Sequence, residues 1–551
     1  MIKDFDFKNS DTRSRRYIVP ERIVKTEGLV EGADILLEYR NRQIELYETK
    51  LVKMTTSGES KAGILLDFGR EFHGGVAIGV YSVKDTAEKF HTLRLCFGES
   101  VSEALSHVGE KGACNDHIAR DYTVNVQSYS TNEYGNTGYR FLYLELLTEG
   151  TVYITTVQGI FVYEHLVYKG SFECSDELLN RIYNVSAYTC HLCIQNEIWD
   201  GIKRDRLVWV GDMSPEMKTI KYVFGEIPHF YRALKLSAES TPLPLWMNRI
   251  STYSLWWLVI LDEWAFYTGK KEYIDEQRDY ILGLTRQILD NIGEDGKFLA
   301  GDFLDWPTKG SEYAAAGTKG LTHSCLMACI RMAVHLGDMK LAEECAEAVK
   351  KFDGVRESSG GFKQIAAFLI LNGLDSEECA ETIKTGGAKG FSTFMSYYIL
   401  KAMEKHCTAN EIFAALKEYY GAMLDMGATT FWEDFDIEWT KNAYPIDSLP
   451  VEGMSDIHGD NGNYCYLGYR HSLCHGWSSG PVPFLTEYVL GVEILGEGCN
   501  RIKITPHLGE LTYAKGSIAT PYGKVEIEHE KDENGVINTT VNAPENIKIE
   551  F

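Results

Sequence analysis

The 551-residue sequence predicts a β–α–β protein in which a closed barrel of helix pairs sits between two β regions. Three observations predict it. Hydrophobic period 2 gives way to a helical period near residue 170, eleven helical stretches follow, and alternation returns from about residue 494. The implied domains are 1–168, an N-terminal β-sandwich; 169–493, the helical domain; and 494–551, a small C-terminal β domain.

In the first region, Gly63–Phe68, Gly75–Tyr81, Thr92–Phe97 and Thr151–Tyr163 are β-branched or aromatic runs separated by Gly, Asn, Asp and Ser clusters. Strands at that spacing suggest a sandwich. Ser175, followed by Asp176 and Glu177, marks the first long helix, with acids where the helix dipole favours them. The helical stretches are 177–195, 213–236, 251–268, 271–291, 320–336, 338–352, 362–373, 376–384, 391–405, 409–423 and 480–491. Eleven is close to the twelve of six helix pairs. No short repeat motif is visible, which favours a closed barrel over a solenoid. The tail alternates at Arg501–Thr505, Gly523–His529 and Val536–Val541.

Composition excludes several function classes. There are 79 acidic and 55 basic residues, a net charge of −24. So acidic a surface repels phosphate backbones and anionic lipid, so neither nucleic acid nor membrane is an expected partner. The longest apolar run, Leu255–Leu261, is far short of the ~20 residues that span a bilayer. The polar start lacks the apolar stretch of a signal peptide, and the expected location is cytoplasmic. Thirteen scattered cysteines fit a reduced interior, and Cys190-His191-Leu192-Cys193 has no second metal-type pair nearby, so both are expected in the core.

All ten tryptophans fall between residues 199 and 477. Several sit in loops beside acids: Trp199-Asp200, Asp305-Trp306-Pro307, Trp432-Glu433-Asp434 and His475-Gly476-Trp477. An aromatic face beside a carboxylate suits a sugar ring, which is apolar on its faces and polar at its rim. The densest group, Trp199–Asp212, holds three aspartates besides Arg204, Arg206 and Trp209. Crowded acids raise one another's pKa while arginines lower it, a separation that acid–base catalysis uses. A glycosidase needs a second carboxylate across the cleft. Glu433 is one candidate, and Asp302, Asp305 and Glu312 compete; the residues alone do not rank Glu433 above Asp305.

Arg204-Asp-Arg-Leu-Val-Trp209-Val-Gly-Asp212 resembles the signature of the bacterial α-L-rhamnosidases, glycoside hydrolase family 78, approximately D-x-x-x-R-(D)-E-R-L-G-W-x-G-D. Asp67–Gly75, Leu304-Asp305-Trp306, Gly427–Glu433 and Ser472–His475 resemble further family segments in the same order. The resemblance implies an (α/α)6 barrel and an inverting glycosidase that removes terminal α-L-rhamnose or a related deoxysugar. It implies Asp205 as general acid and Glu433 as general base. Asp200, Arg204, Trp209, Asp212, Asp305, Trp306, Trp432 and His475 would bind the sugar. Asp205 stands where the family usually has Glu, and its spacing from Asp200 is one residue shorter.

The expected partner is a carbohydrate or glycoside, with a homodimer left open. No cofactor or metal is expected, since no HExxH, EF-hand loop, phosphate cradle or GxSxG elbow occurs. The alternatives are a barrel hydrolase or phosphorylase of another glycoside, and a non-catalytic glycan-binding protein. A phosphorylase needs no protein base, so Trp432-Glu433 favours hydrolysis.

Overall fold

A computed structural model describes residues 10–464 and 466–551 as a mixed α and β protein: a helical region with β-sheets before and after it. The N-terminal sheet has nine strands, built around the 23-residue strand Ala62–Lys84. That strand pairs antiparallel with Ser130–Leu146 on one side and Gly150–Tyr163 on the other. The runs 63–68 and 75–81 are therefore parts of a single strand, which shifts register between Asp67 and Phe72. Gly74 permits the close pairing: a Cβ there would lie 1.8 Å from the Ile160 carbonyl oxygen. Ile64, Leu66, Val76, Ile78, Leu142 and Leu144 fill the core beneath the sheet.

The C-terminal four-stranded sheet recruits Ser171–Cys174 from before the first long helix, pairing it with Tyr513–Thr520. The chain on either side of the helical region is thereby hydrogen-bonded together. The helix Glu177–Cys193 is capped by Asp176, one residue after the predicted cap, whose carboxylate accepts from Leu178 and Leu179 N–H at 3.0 and 3.2 Å.

Ser251–Thr268 forms as predicted and ends at left-handed Gly269 (φ 71°). It is apolar nearly all round, and Trp256, Trp257 and Trp264 are fully buried, so these three tryptophans are core material. The stretch 213–236 is instead two helices, Met213–Val223 and Pro228–Ser240, because left-handed Gly225 (φ 82°) breaks the chain and Pro228 starts the next helix. Ala314–His335 starts well before the predicted residue 320. Among the described residues no helix is long and apolar enough to cross a membrane.

Four helices point their N-terminal ends at one place. Met213–Val223 follows Asp212, Ser251–Thr268 contains Tyr253 in its first turn, Ser396–Met403 follows Thr393, and Pro481–Tyr488 follows Trp477. Helix N-termini favour negative charge, and the acidic loops gather there.

Candidate active site

Arg204 organises the site. Its guanidinium is buried and contacts two carboxylates: Nη1 donates to Asp205 Oδ1 at 3.0 Å, and Nη2 donates to both oxygens of Glu433 at 3.0 and 2.8 Å. Its Nε donates to the Arg470 carbonyl at 2.6 Å, which fixes the plane of the group. Two acids far apart in the chain thus share one cation. Asp205 and Arg206 take consecutive left-handed conformations (φ 52° and 54°), a turn that is uncommon for residues with a Cβ.

Glu433 is held along its whole length. Its N–H donates to the Ser472 carbonyl at 3.0 Å, and Ser472 N–H returns a bond to Oε2 at 3.1 Å. Its carbonyl accepts from Thr393 Oγ1 at 2.6 Å and Trp477 Nε1 at 2.9 Å. His475 Nε2 donates to Asp212 at 2.9 Å, while its Nδ1 lies 3.6 Å from Glu433 Oε1. Tyr253 donates to the other Asp212 oxygen at 3.0 Å.

Burial pushes the carboxyls of Asp200 and Asp212 above their ordinary range, against the opposing pull of His475. Asp305 is pushed up to about 7 by burial, although the Ser392 hydroxyl and Trp306 N–H oppose the shift. Asp434 also reaches about 7, through burial and the nearby charges of Asp305 and Glu433. Burial lowers His475, but the carboxylates of Glu433 and Asp212 outweigh it and its pKa is raised. Asp305 and Asp434 can therefore hold or release a proton near neutral pH.

Asp305, Trp306, Glu433, Asp434, Tyr466 and Trp477 help line a small recess of about 10 Å³. Its aromatic wall is braced: Trp306 stacks on Tyr464 at 5.8 Å, and Trp477 stacks on Phe394 at 4.7 Å. Trp209 is half-buried and meets Tyr253 edge-on at 6.2 Å. Trp432 is fully buried against Phe435 and His471 and does not line the recess. Asp302 and Glu312 are exposed, whereas Asp305 shares the recess with Glu433.

The N-terminal β region completes the site. Lys203, beside Arg204, is buried with its ammonium 2.8 Å from Glu99 and 3.3 Å from Glu103, and it donates to the carbonyls of Tyr469 and His471. Glu99 also accepts from Leu473 N–H at 2.7 Å, so it grips the loops carrying Arg204 and His475 together. Glu99, Glu103 and His458 have the donor atoms of a metal site, but the Lys203 ammonium supplies the positive charge there. Cys190 and Cys193 are buried. The contributions of Glu99 and Glu103 have no local sequence signal; only the fold brings them in.

Residues 168–358 match the family model for the bacterial alpha-L-rhamnosidase six-hairpin glycosidase domain. That match covers 191 of the 551 residues, about a third of the chain. Among curated proteins no sequence match is found. The chain is similar to solved rhamnosidase structures. With the GH78 family rhamnosidase of Bacillus sp. GL1 the TM-score is 0.73 at 20% identity, covering 91% of this chain and 54% of that one. With the Klebsiella oxytoca rhamnosidase, solved with rhamnose bound, it is 0.63 at 18% identity, covering 86% and 96%. With the Streptomyces avermitilis alpha-L-rhamnosidase, complexed with L-rhamnose, it is 0.66 at 16%, covering 88% and 48%. The chain spans about half the length of the Bacillus and Streptomyces proteins. At such identities the likeness is one of fold.

Proposed function

We propose that the chain is an inverting glycoside hydrolase that removes terminal α-L-rhamnose or a related deoxysugar, with residues 169–493 forming an (α/α)6 barrel. The observation that carries this reading is the Arg204 guanidinium, which holds Asp205 at one end and Glu433 at the other. One planar cation between them brings both carboxyls to a single site, where inversion calls for a spacing of ~6.5–9.5 Å with water between them.

In this reading Asp205 protonates the glycosidic oxygen as its bond to C1 breaks. Glu433 takes a proton from the water that attacks C1 from the opposite face. Arg204 and His475 balance the negative charge of the cluster, while Asp200, Asp212 and Asp305 accept or donate to sugar hydroxyls. Trp209 and Trp306 face the apolar side of the ring.

A panel of p-nitrophenyl glycosides tests the sugar: the α-L-rhamnoside should be the best substrate. A much faster rate on another sugar would replace the substrate assignment, and a requirement for inorganic phosphate would point to phosphorolysis. Proton NMR of the first product should show β-L-rhamnose; α-L-rhamnose appearing first would indicate retention.

Trp209 offers a second test. Trp209→Ala should lower kcat/KM at least tenfold while shifting Tm by only a few degrees, because the ring is half-buried at the edge of the core. A large loss of Tm with near-parental activity would make it a core residue.

A further inference from the structure

We propose that His117, contributed by the N-terminal β region, is the positioning residue that holds Asp205 and returns a proton to it after each turnover. The inference rests on Asp205 being the general acid. His117 Nδ1 lies 2.7 Å from Asp205 Oδ1, the same oxygen that accepts from Arg204. The His117 side chain is 40% exposed and that of Asp205 only 15%, so the imidazole connects a sheltered carboxyl to solvent.

The segment bearing His117 is built to hold this position. Asn115 accepts from the N–H groups of Arg120 and Asp121 at 3.0 and 3.1 Å, and its amide donates to the Asp121 carbonyl. Arg120 donates to the Cys114 carbonyl at 3.2 Å. On the ring's other side Asp116 lies 3.3 Å from Nε2 and also pairs with Arg470. Arg470 in turn offers its carbonyl to Arg204, closing a ring of contacts through Asp116, His117, Asp205 and Arg204. The charged groups facing His117 are thus Asp116 and Asp205, with Arg204 and Arg470 one step further out.

The proton balance is simple. Asp205 gives its carboxyl proton to the leaving oxygen, which keeps the electron pair of the broken C1–O bond. The His117 imidazolium then passes its Nδ1 proton to the Asp205 carboxylate. The neutral ring regains a proton from solvent, matching the proton that Glu433 takes from water and later releases.

His117→Asn and His117→Ala separate relay from support, because the asparagine amide can still donate a hydrogen bond but carries no titratable proton. Both variants should lose at least tenfold in kcat on methyl α-L-rhamnoside, less on the p-nitrophenyl glycoside, and both should alter the kcat–pH profile. Parental kcat and profile in His117→Asn would overturn the relay and leave a hydrogen bond only. A second readout needs no turnover: the NMR chemical shifts of the His117 ring should change in Asp205→Asn, and unchanged shifts would overturn the pairing. A parent chain that cleaves no glycoside overturns the reaction on which the relay rests; an active parent with unaltered variants overturns the relay alone.

Discussion

Glu433→Gln is expected to lose roughly 10²–10⁴-fold in kcat on every glycoside, aryl or alkyl, because no substrate escapes the need to activate water. The substitution is close to isosteric, and the main chain of Glu433 is held independently of its carboxylate: the Ser472 carbonyl, Thr393 hydroxyl and Trp477 indole all bond main-chain atoms. The amide oxygen can still accept from Arg204 or Ser472 N–H, so the fold should persist and the loss should be chemical. Azide, a nucleophile that needs no deprotonation, should restore turnover and give the glycosyl azide of inverted configuration. A Glu433→Gln enzyme within tenfold of the parent would overturn the assignment. The base would then move to Asp305, which shares the recess, rather than to the exposed Asp302 or Glu312.

What the sequence disclosed of this site, and what it did not, follows from where each contact comes from. The Trp199–Asp212 stretch is conspicuous because its tryptophans, acids and arginines are neighbours in the chain. A loop so rich in both charge and indole is hard to explain as solvated surface. The link from Arg204 to Glu433 needs the fold, since no local pattern says which distant acid a buried guanidinium will meet. Lys203 with Glu99 and His117 with Asp205 are of the same kind: the partners lie in the β region, and their own surroundings in sequence are ordinary.

The fold divides in the same way. Ser251–Thr268 is legible because a continuous apolar run ends at a glycine suited to the left-handed cap. Met213–Val223 and Pro228–Ser240 read as one helix because the apolar period continues across Gly225, yet the glycine's left-handed backbone and the following proline end one helix and start another. The strand Ser171–Cys174 is fixed by Tyr513–Thr520, which itself pairs along its whole length with Gly523–Lys531. Pairing across an entire helical region leaves no trace in either segment read alone.

Asp205→Asn is expected to divide substrates by leaving group. Protonation of the departing oxygen matters most when that oxygen leaves as an alkoxide and least when it leaves as a stabilised phenolate. On methyl α-L-rhamnoside kcat should fall roughly 10²–10⁴-fold. On the p-nitrophenyl glycoside the fall should be much smaller. The structure makes this a clean substitution for two reasons. Asparagine tolerates the left-handed conformation that residue 205 adopts (φ 52°), so no new backbone strain enters. Oδ1 of Asp205 is also the atom that accepts from both Arg204 and His117, and an amide oxygen can keep both bonds. What is lost is the negative charge and the transferable proton. The ratio of the two rates, measured for parent and variant under the same conditions, reads the acid role directly. Equal losses on both substrates would show that Asp205 binds or orients the sugar, and the proton donor would have to be sought among the other raised carboxyls, Asp200 first, since it lies in the same loop and burial keeps its proton on at higher pH.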